Sequence, residues 1–211
     1  MLALFNVESW LQSGGLFLLA AIVFAESGLL VGFFLPGDTL LFIAGFLTSS
    51  AGPAALGVKA DSLPSLPLVA IVVALAAILG DQVGYLFGRR VGPSLFQREQ
   101  SRLFKPSHIQ KAHDFLEKHG PKTIVMARFV PVVRTFAPIV AGVGKMNYRT
   151  FITYNIIGGV VWGVGITTLG HYLGDISWVK DNIELASLAI VLISVAPMLI
   201  EVLRHRRADR K

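Results

Sequence analysis

Four charged residues lie inside long apolar stretches of this sequence. Glu26 and Asp38 interrupt an otherwise uncharged stretch near the N-terminus, and Arg128 and Arg134 interrupt a second one past the middle of the chain. An ionised side chain at the depth of a lipid bilayer costs about 2.5 kcal/mol or more, so charges that persist there usually face a protein interior or a water-filled cavity. Two acids and two bases in this setting predict a functional site.

The types of these residues indicate recognition of an anion coupled to protons. A guanidinium group stays protonated and its fork of donors matches a phosphate, so we expect Arg128 and Arg134 to bind the substrate. Glu26 and Asp38 are the natural counter-charges, and proton exchange at their carboxyl groups would couple a cargo to the proton gradient. The structural alternative is that Arg128 snorkels to the membrane surface while the other three residues form ion pairs that fix the packing.

Each pair of charges flanks a proline. Pro36 and Gly37 immediately precede Asp38, and Pro131 lies between the two arginines. Peptide N–H groups that are freed where a proline breaks a helix can help to bind an anion, so these residues are expected to support the site. Asp81, a further charge in an apolar run, is the remaining supporting candidate, as the partner of an arginine.

Small residues predict close helix packing. Gly80, Gly84 and Gly88 are four residues apart and form a smooth stripe that another helix can approach closely. The glycine pair 158–159, together with Trp162, is expected to play the matching packing role in a later helix.

The composition indicates an integral membrane protein, since 54% of the residues are apolar and 15% are charged. The later apolar runs are expected to cross the roughly 30 Å of hydrocarbon, whereas the first could cross or turn back at Pro36. No basic segment typical of a signal peptide precedes the first run, so we take it as mature structure. The absence of cysteine excludes thiolate metal sites, and no metal or cofactor is predicted. The apolar runs cover residues 16–35, 68–87, 151–173 and 185–200.

The basic residues predict the topology. The net charge is +6, and the positive residues concentrate at 89–122 and 204–211, which is typical of cytoplasmic segments. Nucleic-acid binding is disfavoured because no reading element is present. If both basic segments are cytoplasmic, residues 51–65 lie outside and the segment 121–144 begins and ends in the cytoplasm. That segment is therefore predicted to be a re-entrant hairpin that turns near 131–133.

A repeat relates the two halves of the chain. Residues 38–45 parallel residues 134–142 with one insertion, which aligns Gly45 with Gly142, and residues 86–92 parallel residues 168–174. Each unit would be a broken hairpin followed by one spanning helix, and the two units would be inverted, as in secondary transporters. The sequence thus predicts an all-α, single membrane domain over 1–211, with repeat 1 at about 15–92, an amphipathic cytoplasmic connector at 95–120, repeat 2 at 121–174, a C-terminal transmembrane helix at 180–204 and a basic tail at 204–211.

Several short segments carry a family resemblance, namely 26–29, 34–38, 80–81, 84–85, 88–89 and, most specifically, 128–142. At these residues the chain resembles the DedA family, also described as SNARE-associated or VTT-domain proteins. The resemblance implies a role in bacterial inner-membrane homeostasis that depends on the proton motive force. Some members are implicated in returning undecaprenyl phosphate across the membrane, and eukaryotic relatives are lipid scramblases. It also implies function-critical roles for Glu26, Asp38, Arg128 and Arg134.

The leading hypothesis is a proton-coupled transporter of an anionic lipid with a phosphate headgroup, with no catalytic residue. The alternatives are a proton or cation antiporter without lipid cargo, which would need the acids but not two arginines, and a membrane lipid phosphatase, for which no nucleophile or metal constellation is apparent. The sequence leaves the oligomeric state and the direction of transport open.

Overall fold

The computed structural model of the chain is all-α, as the sequence predicts. The structure describes residues 7–28, 37–56, 63–96, 120–129, 131–182 and 185. This part of the chain contains no strand, and its helices are α1 (Val7–Gly28), α2 (Gly37–Leu47), α3 (Gly52–Ala55), α4 (Leu66–Phe96), α5 (Lys122–Ala127), α6 (Pro131–Val143), α7 (Tyr148–Gly174) and α8 (Ser177–Asp181).

Helices α4 and α7 are the two described helices that are long and apolar enough to cross a membrane. At about 1.5 Å per residue, each exceeds the roughly 30 Å of a hydrocarbon core. Ile71, Leu75 and Leu79 are exposed at intervals of four residues and so form one apolar face of α4. Such a face is suited to lipid contact. The two helices contain the predicted apolar runs 68–87 and 151–173.

Helix α2 is buried on every side. All of its residues from Gly37 to Leu47 are buried, although the helix has only 11 residues. A helix of this length covers about 16 Å, so it cannot cross a bilayer by itself. The rest of the protein therefore shields α2, and its polar first turn at Asp38 lies in the protein interior.

The helical break in the second apolar stretch lies earlier than predicted. Helix α5 ends at Ala127 and α6 begins at Pro131, whereas the sequence placed the turn at 131–133. The reason is that proline is well tolerated as the first residue of a helix, where its missing N–H has no partner to lose. Pro131 thus begins the second leg, and the re-entrant path of the segment stays a prediction.

The first apolar stretch is also interrupted. Helix α1 has non-helical backbone at Gly15, with φ 50°, and the helical part from Gly15 to Gly28 is too short to cross the hydrocarbon core. Pro36 lies outside the described residues, so crossing or turning back at this residue stays open. Helix α4 continues to Phe96, so the first residues of the predicted connector 95–120 belong to this helix. Residues 97–119, most of the C-terminal helix and the basic tail are outside the described ranges.

Two helix crossings have the same local geometry. Helix α2 packs on α7 where Gly45 meets Gly170, and α6 packs on α4 where Gly142 meets Gly88; a Cβ atom at any of these glycines would overlap the backbone of the facing helix. The sequence repeat aligns Gly45 with Gly142 and Gly88 with Gly170. Under the predicted repeat, α2 and α6 correspond to each other, and each contacts the long helix of the other predicted unit at corresponding positions.

The predicted glycine stripe of α4 is confirmed as a packing surface. Gly80 faces α1 at Gly28, where an added Cβ atom would lie 2.9 Å from Ser27 Cβ. Further along α4, Gly84 faces α6. A Cβ atom added at Gly84 would lie 3.3 Å from Pro138 Cβ. Helix α4 is thus held between α1 and α6, the two helices that carry Glu26 and Arg134.

Candidate functional site

Arg134 lies at the centre of one ion cluster. Its Nη1 donates to Asp38 Oδ1 at 2.6 Å, and its Nη2 donates to Glu26 Oε1. The side chain of Glu26 is 1% exposed and that of Arg134 is 11% exposed. The three charges come from α1, α2 and α6, so helices far apart in sequence converge on one guanidinium group. We call Glu26, Asp38 and Arg134 the Arg134 cluster.

Trp162 of α7 contacts two members of the Arg134 cluster. Its indole Nε1 donates to Asp38 Oδ1 at 2.9 Å, and the Arg134 Cζ atom lies 4.9 Å from the centroid of its ring. That distance is within the range of a cation–π interaction. Trp162 is part of the buried core, so its predicted packing role is confirmed, and its two contacts with the Arg134 cluster are a further role that the sequence did not predict. The signal that could have identified it is chemical, because a buried indole N–H usually needs a hydrogen-bond acceptor.

Arg128 belongs to a second cluster. Its Nη2 donates to Asp81 Oδ2 and to Asn155 Oδ1, each at 2.5 Å, and the Arg128 and Asp81 side chains are both 5% exposed. Asn155 in turn donates from Nδ2 to the carbonyl oxygen of Ile78 at 3.1 Å. The prediction that Asp81 pairs with an arginine is confirmed, whereas the alternative of a snorkelling Arg128 is wrong. We call Arg128, Asp81 and Asn155 the Arg128 cluster.

Glycines make room for both clusters. An added Cβ atom at Gly158 would lie 2.9 Å from Arg128 Cδ, whereas one at Gly159 would lie 2.5 Å from Ile78 Cγ1 of α4. At Gly37, an added Cβ atom would overlap the Glu26 carboxyl group. Gly158 and Gly37 thus permit the approach of charged side chains to a helix backbone, which any larger residue would obstruct.

Helix α7 connects the two clusters. Asn155 and Trp162 are seven residues apart, which places them on one face of the helix and about 10 Å apart along its axis. The two arginines are accordingly held in separate clusters by different acids. Joint contact of both arginines with one headgroup stays a prediction.

Each cluster retains unused hydrogen-bonding capacity. Within the described part of the chain, Glu26 Oε2 and Arg128 Nε are buried without a hydrogen-bond partner. A buried polar atom without a partner is unusual, and it often marks a place for a ligand, a proton or a water molecule. No group of three or more potential metal ligands occurs among the described residues. Pro36, which the sequence predicts as a supporting residue of the site, lies outside the described residues.

The helices and the two clusters define the class of protein: a helical membrane protein with buried ion pairs between its helices. Residues 35–172 match the family model of the VTT domain. The chain belongs to this family, and the predicted relationship to DedA proteins is confirmed.

Individual relatives agree with this assignment. The chain is 45% identical over 191 residues to the protein DedA of Escherichia coli, covering 90% of this chain and 83% of that protein. It is 45% identical over 208 residues to an uncharacterized membrane protein of Mycobacterium tuberculosis, covering 95% of this chain and 87% of that protein. It is 37% identical over 160 residues to the inner membrane protein YqjA of Escherichia coli, covering 75% of this chain and 67% of that protein. No solved structure matches the chain.

Proposed function

We propose that this membrane protein is a proton-coupled transporter of an anionic lipid, with undecaprenyl phosphate or a similar polyprenyl phosphate as cargo. It would act in the bacterial inner membrane, with its C-terminus in the cytoplasm, and support envelope homeostasis without a cofactor or a catalytic residue. The observation that carries the proposal is the Arg134 cluster, in which one guanidinium group is shared by two acids inside an apolar protein.

The Arg134 cluster allows carboxylate and phosphate to compete. Both groups accept the same fork of guanidinium donors, and Glu26 and Asp38 occupy both terminal nitrogens of Arg134. A lipid phosphate can bind only when these carboxyl groups withdraw, and protonation removes the charge that holds them. Proton uptake and anion binding therefore favour each other, and deprotonation returns the acids to Arg134 and releases the lipid.

Charge counting gives a coupling ratio. In a medium of low dielectric constant, states with balanced charge are favoured over states with net charge. With one acid protonated, the Arg134 cluster is neutral without a ligand. With both acids protonated, it is neutral when Arg134 binds a phosphate monoanion. The exchange between these states moves one proton with each monoanionic lipid, in the same direction.

The ion pairs also join the two predicted repeats. Glu26, Asp38 and Asp81 belong to the first unit, and both arginines belong to the second. Protonation thus weakens contacts between the units rather than within them. The equivalent glycine crossings support the inverted repeat, which in secondary transporters alternates access to a site at the repeat interface.

The proposal is tested with liposomes that contain the purified protein and a labelled polyprenyl phosphate. Arg134→Lys should weaken binding of the lipid phosphate about ten-fold or more, since Lys cannot reproduce two charge-assisted bonds of about 1.5–3 kcal/mol each. Arg149→Lys is the matched control, because Arg149 is an exposed arginine at the start of α7. Glu26→Gln and Asp38→Asn should remove the pH dependence of transport, because amides keep the shape but do not titrate.

Several outcomes would refute the proposal. If the neutral polyprenyl alcohol binds as well as the phosphate and Arg134→Lys binds like wild type, the arginine does not recognise the headgroup. If protons cross the membrane in exchange for a cation without any lipid, the antiporter alternative is correct. Wild-type pH dependence in both amide variants would show that Glu26 and Asp38 are structural.

A further inference from the structure

Trp162 lies where the Arg134 cluster meets helix α7. The side chain is 3% exposed, and it contacts the cluster through two different parts of its indole ring. The N–H group donates to Asp38 at 2.9 Å, and the π face lies 4.9 Å from the guanidinium carbon of Arg134. One neutral side chain thus contacts an acid of α2 and a base of α6.

Both contacts favour the charged form of the partner. An indole N–H can donate but cannot accept, so it stabilises a carboxylate at Asp38 Oδ1 and cannot pair with a hydroxyl donor there. The π face attracts a cation through its quadrupole, and the attraction is stronger when the pair is shielded from water. Glu26 has no such additional donor, because its Oε2 lacks a partner among the described residues.

We infer that Trp162 is a positioning residue of the transport site: it holds Arg134 over its ring while the guanidinium exchanges a carboxylate for a phosphate, and its N–H group receives Asp38 when that acid is ionised. The role in transport rests on the function proposed above. When an acid is protonated, Arg134 loses part of its counter-charge, and the ring supplies an attraction that does not change with the proton. The guanidinium group therefore stays in place to receive the anion.

The contact itself can be tested without transport. The chain has three tryptophans, so a Trp10→Phe/Trp178→Phe protein reports on Trp162 alone. In detergent, adding Arg134→Met or Asp38→Leu should change the emission maximum or intensity of Trp162. The same changes in a protein that retains only Trp178, which is 60% exposed, should leave its emission unaltered. Equal emission of Trp162 with and without Arg134 and Asp38 would overturn the inference.

The role is tested by separating the two contacts. Trp162→Phe keeps an aromatic face but loses the N–H donor, whereas Trp162→Leu loses both. With a short-chain polyprenyl phosphate as the probe, we expect Trp162→Leu to raise the dissociation constant about ten-fold and Trp162→Phe to raise it less, because Phe retains part of the cation–π attraction. Trp178→Phe and Trp178→Leu are matched controls that should bind like wild type.

The outcomes distinguish this inference from the function that it builds on. Equal dissociation constants for Trp162→Phe and Trp162→Leu, or wild-type values for both, would overturn the positioning role. If the wild-type protein binds no polyprenyl phosphate, the proposed function fails, while the emission of Trp162 still decides whether the contact exists. The emission measurement also decides the matter if a Trp162 variant does not fold, since it uses a protein that retains Trp162.

Discussion

Alanine substitutions at the two equivalent helix crossings test the packing that relates the halves of the protein. At Gly45, an added Cβ atom would lie 2.8 Å from the carbonyl carbon of Thr167 and 3.1 Å from the backbone nitrogen of His171. At Gly142, it would lie 2.7 Å from the backbone nitrogen of Arg89. Because these neighbours are backbone atoms, they cannot rotate away, and the helices must separate.

The expected effect follows from the size of that separation. The nearest atoms, the carbonyl oxygens of Thr167 and Tyr85, would be overlapped most closely. Restoring an ordinary contact of about 3.5 Å to them requires a shift of roughly 1.5 Å, which loosens the surrounding contacts of both helices. Overpacking of a close-packed interior destabilises by about 1–3 kcal/mol. We expect Gly45→Ala and Gly142→Ala each to lower the free energy of unfolding by about 2 kcal/mol, within this range. Similar values are expected because the two crossings are equivalent.

The matched control is a glycine of α7, the helix that packs against Gly45. Gly165 of α7 is exposed, and an added Cβ atom there would meet nothing within 4 Å. Gly165→Ala should not destabilise the protein, and the higher helix propensity of alanine should raise the free energy of unfolding by about 0.5–1 kcal/mol. The free energy of unfolding of all three variants is measured by reversible unfolding in mixed micelles with increasing SDS. The reciprocal packing is wrong if Gly45→Ala or Gly142→Ala is as mild as Gly165→Ala.

Two further predictions concern topology and the Arg128 cluster. The chain has no cysteine, so Lys122→Cys and Lys145→Cys provide single labelling sites, and both should react from the cytoplasmic face because both ends of the hairpin are predicted to lie there; reaction from opposite faces would exclude the hairpin. Arg128→Met or Asp81→Leu alone should destabilise by about 3–5 kcal/mol, because each leaves a buried charge unpaired, and the double variant should recover most of the loss. Additive effects in the same SDS unfolding experiment would show that the pair is not coupled.

The sequence identified the charged residues of both clusters but not their pairing. A charge inside an apolar run is conspicuous, so Glu26, Asp38 and Asp81 could be selected without a structure. Which acid meets which arginine depends on the helix crossings, and several pairings are compatible with the same sequence. The structure assigns Asp81 to Arg128 and the other two acids to Arg134.

The uncharged members of the site were harder to predict. Asn155 and Trp162 lie in a long apolar helix, where an amide or an indole looks like ordinary composition. Their hydrogen bonds become visible only when α7 is packed against its neighbours. The physical signal is present in the sequence nevertheless, because a polar group that is buried in an apolar environment is costly unless it finds a partner.

The fold was predictable at the level of apolar runs and less so at helix ends. The runs within α4 and α7 were recognised because length and composition suffice for a spanning helix. The break lies before Pro131 and not at 131–133 as predicted, because a proline can either terminate one helix or begin the next. Local sequence alone does not choose between these two positions.

The two arginines differ in a way that bears on how the protein could move. Arg128 has one acid and one neutral amide, so its cluster is balanced in charge and is closely enclosed by Gly158 and its neighbour on α7. Arg134 has two acids, so its cluster carries excess negative charge that a proton can remove. When all of their acids are ionised, the two clusters therefore differ by one unit of net charge. Under the proposed function, this difference makes the Arg134 cluster the part of the site that exchanges a carboxylate for a phosphate, and a contribution of Arg128 to headgroup binding stays a prediction.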